Sequence, residues 1–166
     1  QKRVGTVGAL VKKGTADESN VLVAQPKLML RKIKTASKPY LVLKPDTKPY
    51  KALYATLMAA QPKLQDGHGF CEGIYTGNGV QAQKIELYKL SNQKVLATTL
   101  CWRGAYNEGF GAWVIDGSLK GKATFVTESA SDFDEGDISS SQKGRGIGDC
   151  WSMSEWIWDG KTFVQS

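Results

Sequence analysis

Trp156-Ile157-Trp158-Asp159-Gly160-Lys161-Thr162-Phe163 is the stretch on which the fold turns. Asp-Gly between two apolar runs is a strong two-residue hairpin signal, because a type I′ turn needs positive φ at both central positions and these residues tolerate it. Counting outward predicts Ile157 opposite Thr162, Trp156 opposite Phe163 and Glu155 opposite Val164. The aromatic pair would pin the register, worth roughly 0.2–1 kcal/mol over an Ala pair. Just upstream, Gly144-Arg145-Gly146-Ile147-Gly148 has a glycine spacing suggestive of phosphate binding, but it follows no parallel strand and opens no helix. The reading is a bend or bulge passing close to another strand.

Moving outward, the alternation continues. Residues 83–90 and 94–102 alternate around Ser91-Asn92-Gln93 as a second hairpin, and residues 106–116 and 122–127 give two more strands joined at Asp116-Gly117-Ser118. Residues 3–11 read as a glycine-rich strand, residues 21–24 as an apolar run, and residues 27–34 as a lysine-bearing edge strand. Residues 35–48, with Pro39, Pro45 and three lysines, read as a connector without regular structure. One helix interrupts this pattern. It starts at Asp46 or Thr47, with Pro49 in the first turn, and Tyr50, Leu53, Tyr54, Leu57 and Met58 form one apolar stripe before Pro62. The fold class is therefore mainly β (α+β): an antiparallel meander or half-barrel of about six to eight strands with one amphipathic helix packed on it. Residues 1–45 form a basic strand and connector, residues 46–166 the helix and β core, and together they make one globular unit.

Charge is divided unevenly. Residues 1–63 hold thirteen Lys or Arg against three acids and residues 64–166 nine against thirteen, about +10 and −4. The two halves should attract each other. No aromatic residues interleave the lysines of residues 27–38, which argues against nucleic acid. No run of about 18 apolar residues is present, so no membrane span is expected. No secretory signal follows Gln1, so the chain is read as cytosolic or already processed. Cys71, Cys101 and Cys150 lack zinc spacing, and disulfides with one cysteine left over are the natural reading.

Few motifs carry chemistry. The only histidine, His68, sits in the Asp66-Gly67-His68-Gly69 turn. Residues 128–137 hold five acids but depart from a calcium loop, because Gly136 stands where a ligand belongs and no Glu closes it. They read as a solvated acidic loop. No metal or other cofactor is expected.

Cys101-Trp102-Arg103-Gly104-Ala105-Tyr106-Asn107, the residues from Lys143 to Ser152, and Glu155-Trp156-Ile157-Trp158-Asp159-Gly160 resemble the domain of unknown function 1176 family of exported Gram-negative bacterial proteins. Arg3-Val4-Gly5-Thr6 resembles a further family segment. The resemblance implies a periplasmic or envelope location, a family pattern continuing past both ends of the chain, and a cysteine downstream that would partner Cys150. That leaves Cys71 to pair with Cys101. It implies no reaction.

The candidate binding surface comprises Trp102, Arg103, Tyr106, Asn107, Lys143, Arg145, Asp149, Trp151 and Glu155, since Arg and aromatic residues dominate binding hot spots. The plain alternative has Arg103 paired with Asp149 or Glu155 and the tryptophans in the core. Three functions compete. One is a noncatalytic envelope module binding a protein or glycan, with an inhibitor or immunity role as one form of it. Another is a structural or oligomeric envelope domain. The third is a cell-wall hydrolase using a Cys101–His68 dyad or a Glu108–Glu155 carboxylate pair.

Overall fold

The structure, a computed structural model, describes residues 32–144 and 147–166. The strand expected over residues 3–11 and the apolar run at 21–24 lie outside these residues, as does most of the edge strand expected over 27–34. Of the last, Ile33 donates its N–H to the Trp158 carbonyl at 3.1 Å and packs into the core without forming a strand.

Two antiparallel meanders form the β structure. The first sheet runs β1 (Leu41–Leu43), β4 (Ile85–Lys89), β5 (Lys94–Arg103), β6 (Glu108–Asp116), β7 (Thr124–Ala130). The second runs β11 (Phe163–Gln165), β10 (Trp151–Trp158), β9 (Asp137–Lys143), β8 (Asp132–Asp134). A ribbon of β2 (Ile74–Thr76) and β3 (Gly79–Gln81) stands apart. The barrel does not close, and helix α1 (Lys48–Ala59) covers the first sheet. β1 falls within residues 35–48, where no regular structure was expected: Leu41 to Leu43 pair with Leu87 to Ile85, so the connector supplies an edge strand.

Strand β5 is buried along most of its length, so the alternation expected over residues 94–102 gives way to a continuous buried run that includes Val95-Leu96-Ala97. Val95, Ala97 and Cys101 face α1 together with Tyr50, Leu53 and Leu57, whereas Leu96 faces Phe133, Ile138, Trp158 and Phe163 of the second sheet. Each such apolar side chain contributes about 1.5–3 kcal/mol of burial. The helix stripe is as the spacing predicts, with Thr47 at its N-cap and Pro49 in its first turn. The Thr47 hydroxyl, however, donates back to the Lys44 carbonyl at 2.8 Å and does not cap the helix.

Two connections differ from their sequence reading. The Asp159-Gly160 hairpin is wider than two residues: Trp158 pairs with Phe163, Ile157 with Val164 and Trp156 with Gln165. Only Gly160 takes positive φ, at 101°. The Asp159 carboxylate accepts the N–H groups of Lys161 and Thr162, each at 2.8 Å, and this local bonding favours the longer loop. The shift is two residues, so every side chain keeps its face, and Trp158 in place of Trp156 meets Phe163, with ring centroids 5.2 Å apart.

The supposed acidic loop at residues 128–137 is largely strand. β7 runs to Ala130, Ser131 donates its N–H to Ser139 O at 2.7 Å, and β8 follows at once. The chain thereby crosses from the first sheet to the second over a single residue. Glu135 and Gly136, at φ 45° and 97°, form the tight turn into β9, the geometry expected for Asp-Gly. At the expected hairpin around residues 91–93, Asn92 and Gln93 are both left-handed, at φ 56° and 59°.

Candidate functional site

The β5–β6 connection presents most of the candidate residues. A bulge between Leu100 and Trp102 puts Trp102 opposite Gly109, and the bare Cα of Gly109 leaves room for the indole. Trp102 Nε1 donates to the Glu128 carbonyl at 2.9 Å, so this half-buried ring is framework. Arg103 bridges Glu108 at 2.9 Å, and neither Asp149 nor Glu155 is its partner. With both side chains about half exposed, that pair adds little stability. The turn closes where Gly104 N–H donates to Asn107 O at 2.7 Å, leaving Tyr106 64% exposed.

Asn107 fastens the two sheets together. Its amide donates to Lys143 O at 2.8 Å and accepts from Lys143 N–H at 2.8 Å, as a strand residue would. Gln142 adds a bond from Nε2 to Glu108 O at 3.2 Å. Lys143 lies directly opposite Trp151 in the β9–β10 ladder, and its ammonium sits 5.5 Å from the indole centroid. Trp151 Nε1 donates to Gly148 O at 2.9 Å, which orients the ring while 51% of the residue stays exposed. Tyr106, Asn107, Lys143 and Trp151 thus border one shallow groove of about 270 Å³ that also reaches Glu108 and Ser131.

Neither Glu155 nor Asp149 lines that groove. Glu155 lies farther along β10 opposite Ser139 and accepts from the Ser166 hydroxyl at 3.4 Å. Asp149 stands in the β9–β10 loop. Arg145 lies outside the described residues. Gly144 bends where a bend was expected, its N–H donating to Cys150 O at 2.6 Å.

Sequence reasoning missed a cavity of about 130 Å³ between the sheets, lined by Glu86, Tyr88, Thr98, Phe110, Asp132 and Phe133 among others. The Tyr88 hydroxyl donates to Glu86 at 2.9 Å, and burial above all holds the phenol far above its usual range. Burial would raise the Glu86 carboxyl too, but hydrogen bonds from Lys84 and Tyr88 prevail and lower it. Its one legible sign was Phe133, an aromatic residue inside the acidic segment.

Cys71 and Cys101 are joined in a disulfide, the pairing the resemblance implied, and Cys150 is free and exposed. Cys101 therefore offers no thiolate to His68. His68 is exposed on its turn and 3.2 Å from Glu72, whose carboxyl the Gly69 N–H, foremost, and the His68 ring hold below its usual range. Glu108 and Glu155 have separate partners, Arg103 and Ser166.

A family described as protein of unknown function (DUF1176) matches residues 1–166. The chain belongs to the DUF1176 family. No curated protein sequence and no solved structure is matched by this DUF1176 chain. The chain holds a disulfide, a bond that persists chiefly in oxidising compartments, and among the described residues no helix is long and apolar enough to cross a membrane.

Proposed function

We propose that this DUF1176 protein is a noncatalytic, exported interaction module of the Gram-negative periplasm or envelope that engages a protein or glycan partner through the Tyr106–Lys143–Trp151 groove. One observation carries the reading: two large aromatic rings are held exposed, at 64% and 51%, on backbone locked by the Asn107 staple, with a cation over one of them. Exposed aromatics on a rigid frame lose little entropy on binding and supply the contact type that dominates hot spots. Ile147 and Met153, 78% and 77% exposed, extend the apolar surface nearby in sequence. The Cys71–Cys101 disulfide supports the compartment. An inhibitor or immunity role fits the same surface, whereas a structural envelope domain would not need the rings exposed.

The test compares wild type with Tyr106→Ala/Trp151→Ala against immobilised peptidoglycan fragments and fractionated envelope proteins, with melting temperature as a folding control. The double variant should keep its melting temperature within a few degrees and lose at least tenfold in affinity, about 1.4 kcal/mol. Undiminished capture by the double variant would remove the groove from any binding role.

A further inference from the structure

A second surface lies at the opposite end of the strands. β6 runs from Glu108, beside the aromatic groove, to Asp116, about 27 Å away at 3.4 Å per residue. There the start of β5, the β6–β7 loop, the start of β7 and the β10–β11 loop enclose a pocket of about 280 Å³. Lys94 at the start of β5, Lys120 and Lys122 in the β6–β7 loop and Lys161 in the β10–β11 loop line it, together with Thr124 and Thr162.

Charge makes this arrangement unusual. Residues 64–166 contain nine Lys or Arg against thirteen acids, yet four of the nine converge on one pocket in the acidic part of the chain. Elsewhere in this region Lys84 is bridged to Glu86 at 2.6 Å and Arg103 to Glu108, while Lys89 and Lys143 sit over the rings of Tyr40 and Trp151. Among the described residues, none of the four pocket lysines forms such a bridge. The two acids closest in sequence are engaged with their own turns. Asp116, on the pocket wall and opposite Lys94 in the β5–β6 ladder, accepts from Ser118 N–H at 3.2 Å and from the Ser118 hydroxyl at 2.7 Å, and Asp159 accepts from the N–H groups of Lys161 and Thr162; each feels the charge of its neighbouring lysine, Lys94 and Lys161, without bridging it. Four lysines and one acid, Asp116, border this cavity, a formal charge of +3, and a multivalent anion inside would turn their mutual repulsion into attraction.

From this convergence of four unbridged lysines and two threonines on one cavity, we infer that the pocket binds a phosphate-bearing ligand, either a free phosphorylated sugar or a phosphorylated headgroup. A carboxylate would leave most of the positive charge uncompensated, whereas a phosphomonoester or diphosphate carries two to four negative charges and enough oxygens for several point-charge donors. Gly121, at φ 86° with no heavy atom within 4 Å of where a Cβ would stand, keeps the loop between Lys120 and Lys122 open. This site is independent of the aromatic groove and does not rest on the function proposed for it.

The experiment titrates the full chain with inorganic pyrophosphate and with glucose 1-phosphate, using unphosphorylated glucose as control, by calorimetry at low salt. Sedimentation with vesicles containing phosphatidic acid, a lipid phosphomonoester, tests the headgroup. Saturable pyrophosphate binding is expected, weakening steeply with added salt. Affinity should drop at least about tenfold in Lys94→Gln/Lys120→Gln/Lys122→Gln/Lys161→Gln and stay unchanged in Tyr106→Ala/Trp151→Ala. Glucose 1-phosphate binding without vesicle binding would support the soluble ligand, and lysine-dependent vesicle binding the headgroup. These lysines are surface residues, so the quadruple variant should fold, with its circular dichroism as the check. Absence of saturable pyrophosphate binding at millimolar concentration, or equal affinity in the quadruple variant, would overturn the inference.

Discussion

Gly109→Ala offers a sharp test of how the β5–β6 corner is built. A Cβ at Gly109 would stand 2.6 Å from Glu128 O and nearer still to Nε1 and Cε2 of Trp102. The carbonyl belongs to the backbone of β7 and has little freedom, so the indole must swing away and give up its 2.9 Å hydrogen bond to Glu128 O. Overpacking at a filled site costs about 1–3 kcal/mol, and the lost hydrogen bond about 1 more. The expected destabilisation is about 2–4 kcal/mol, or a fall in melting temperature of about 5–15 °C at this chain length. Urea unfolding followed by tryptophan fluorescence under non-reducing conditions measures it. Gly104→Ala is the control, because its Cβ would meet only Asn107 O, at an ordinary 3.7 Å, and should change stability by no more than about 0.5 kcal/mol. In a Trp102→Ala background the penalty of Gly109→Ala should shrink by more than about 1 kcal/mol, the signature of direct contact. A Gly109→Ala protein as stable as wild type, or full additivity with Trp102→Ala, would refute this account of the corner.

Two further outcomes follow from the disulfide and the helix. Cys71 and Cys101 are 30 residues apart, a loop whose closure should contribute about 3.6 kcal/mol in the chain-entropy model, so reduction should lower the urea midpoint accordingly. Thiol titration in denaturant should find one reactive thiol before reduction, that of Cys150, and three after; more than one before reduction would deny the bridge. Burial, and secondarily the neighbouring Tyr54, pushes the Tyr50 phenol up to about 12, while its hydroxyl donates to Gln83 O at 2.7 Å. The group stays neutral in the folded protein after it would ionise in the unfolded chain. Its stabilisation is therefore complete below pH 10 and is lost as pH rises from about 10 to 12, by up to about 3 kcal/mol. Urea midpoints measured across that window in a Cys150→Ser background should fall, and Tyr50→Phe should flatten the decline; an unchanged slope in Tyr50→Phe would show that the phenol is not the sensor.

Sequence alone determined what depends on local geometry. The strands expected over residues 83–90, 94–102, 106–116 and 122–127, and the stripe of Tyr50, Leu53 and Leu57, follow from local composition and turn residues that hold whatever the partner. Tertiary structure decided what depends on pairing between distant segments. The hairpin at Asp159 keeps its faces but moves its register by two, because a carboxylate bonding its own loop outweighs the two-residue turn. Asn107, chosen for its neighbours as a binding residue, became a staple because its amide matches the backbone of Lys143, 36 residues away. The acids of residues 128–137 became strand because Phe133 and Ile138 are buried beside Trp158, a contact no local window contains. Nor could any count of charges foresee that Lys94, Lys120, Lys122 and Lys161 meet, since their proximity is set by where three loops end after the sheets have packed.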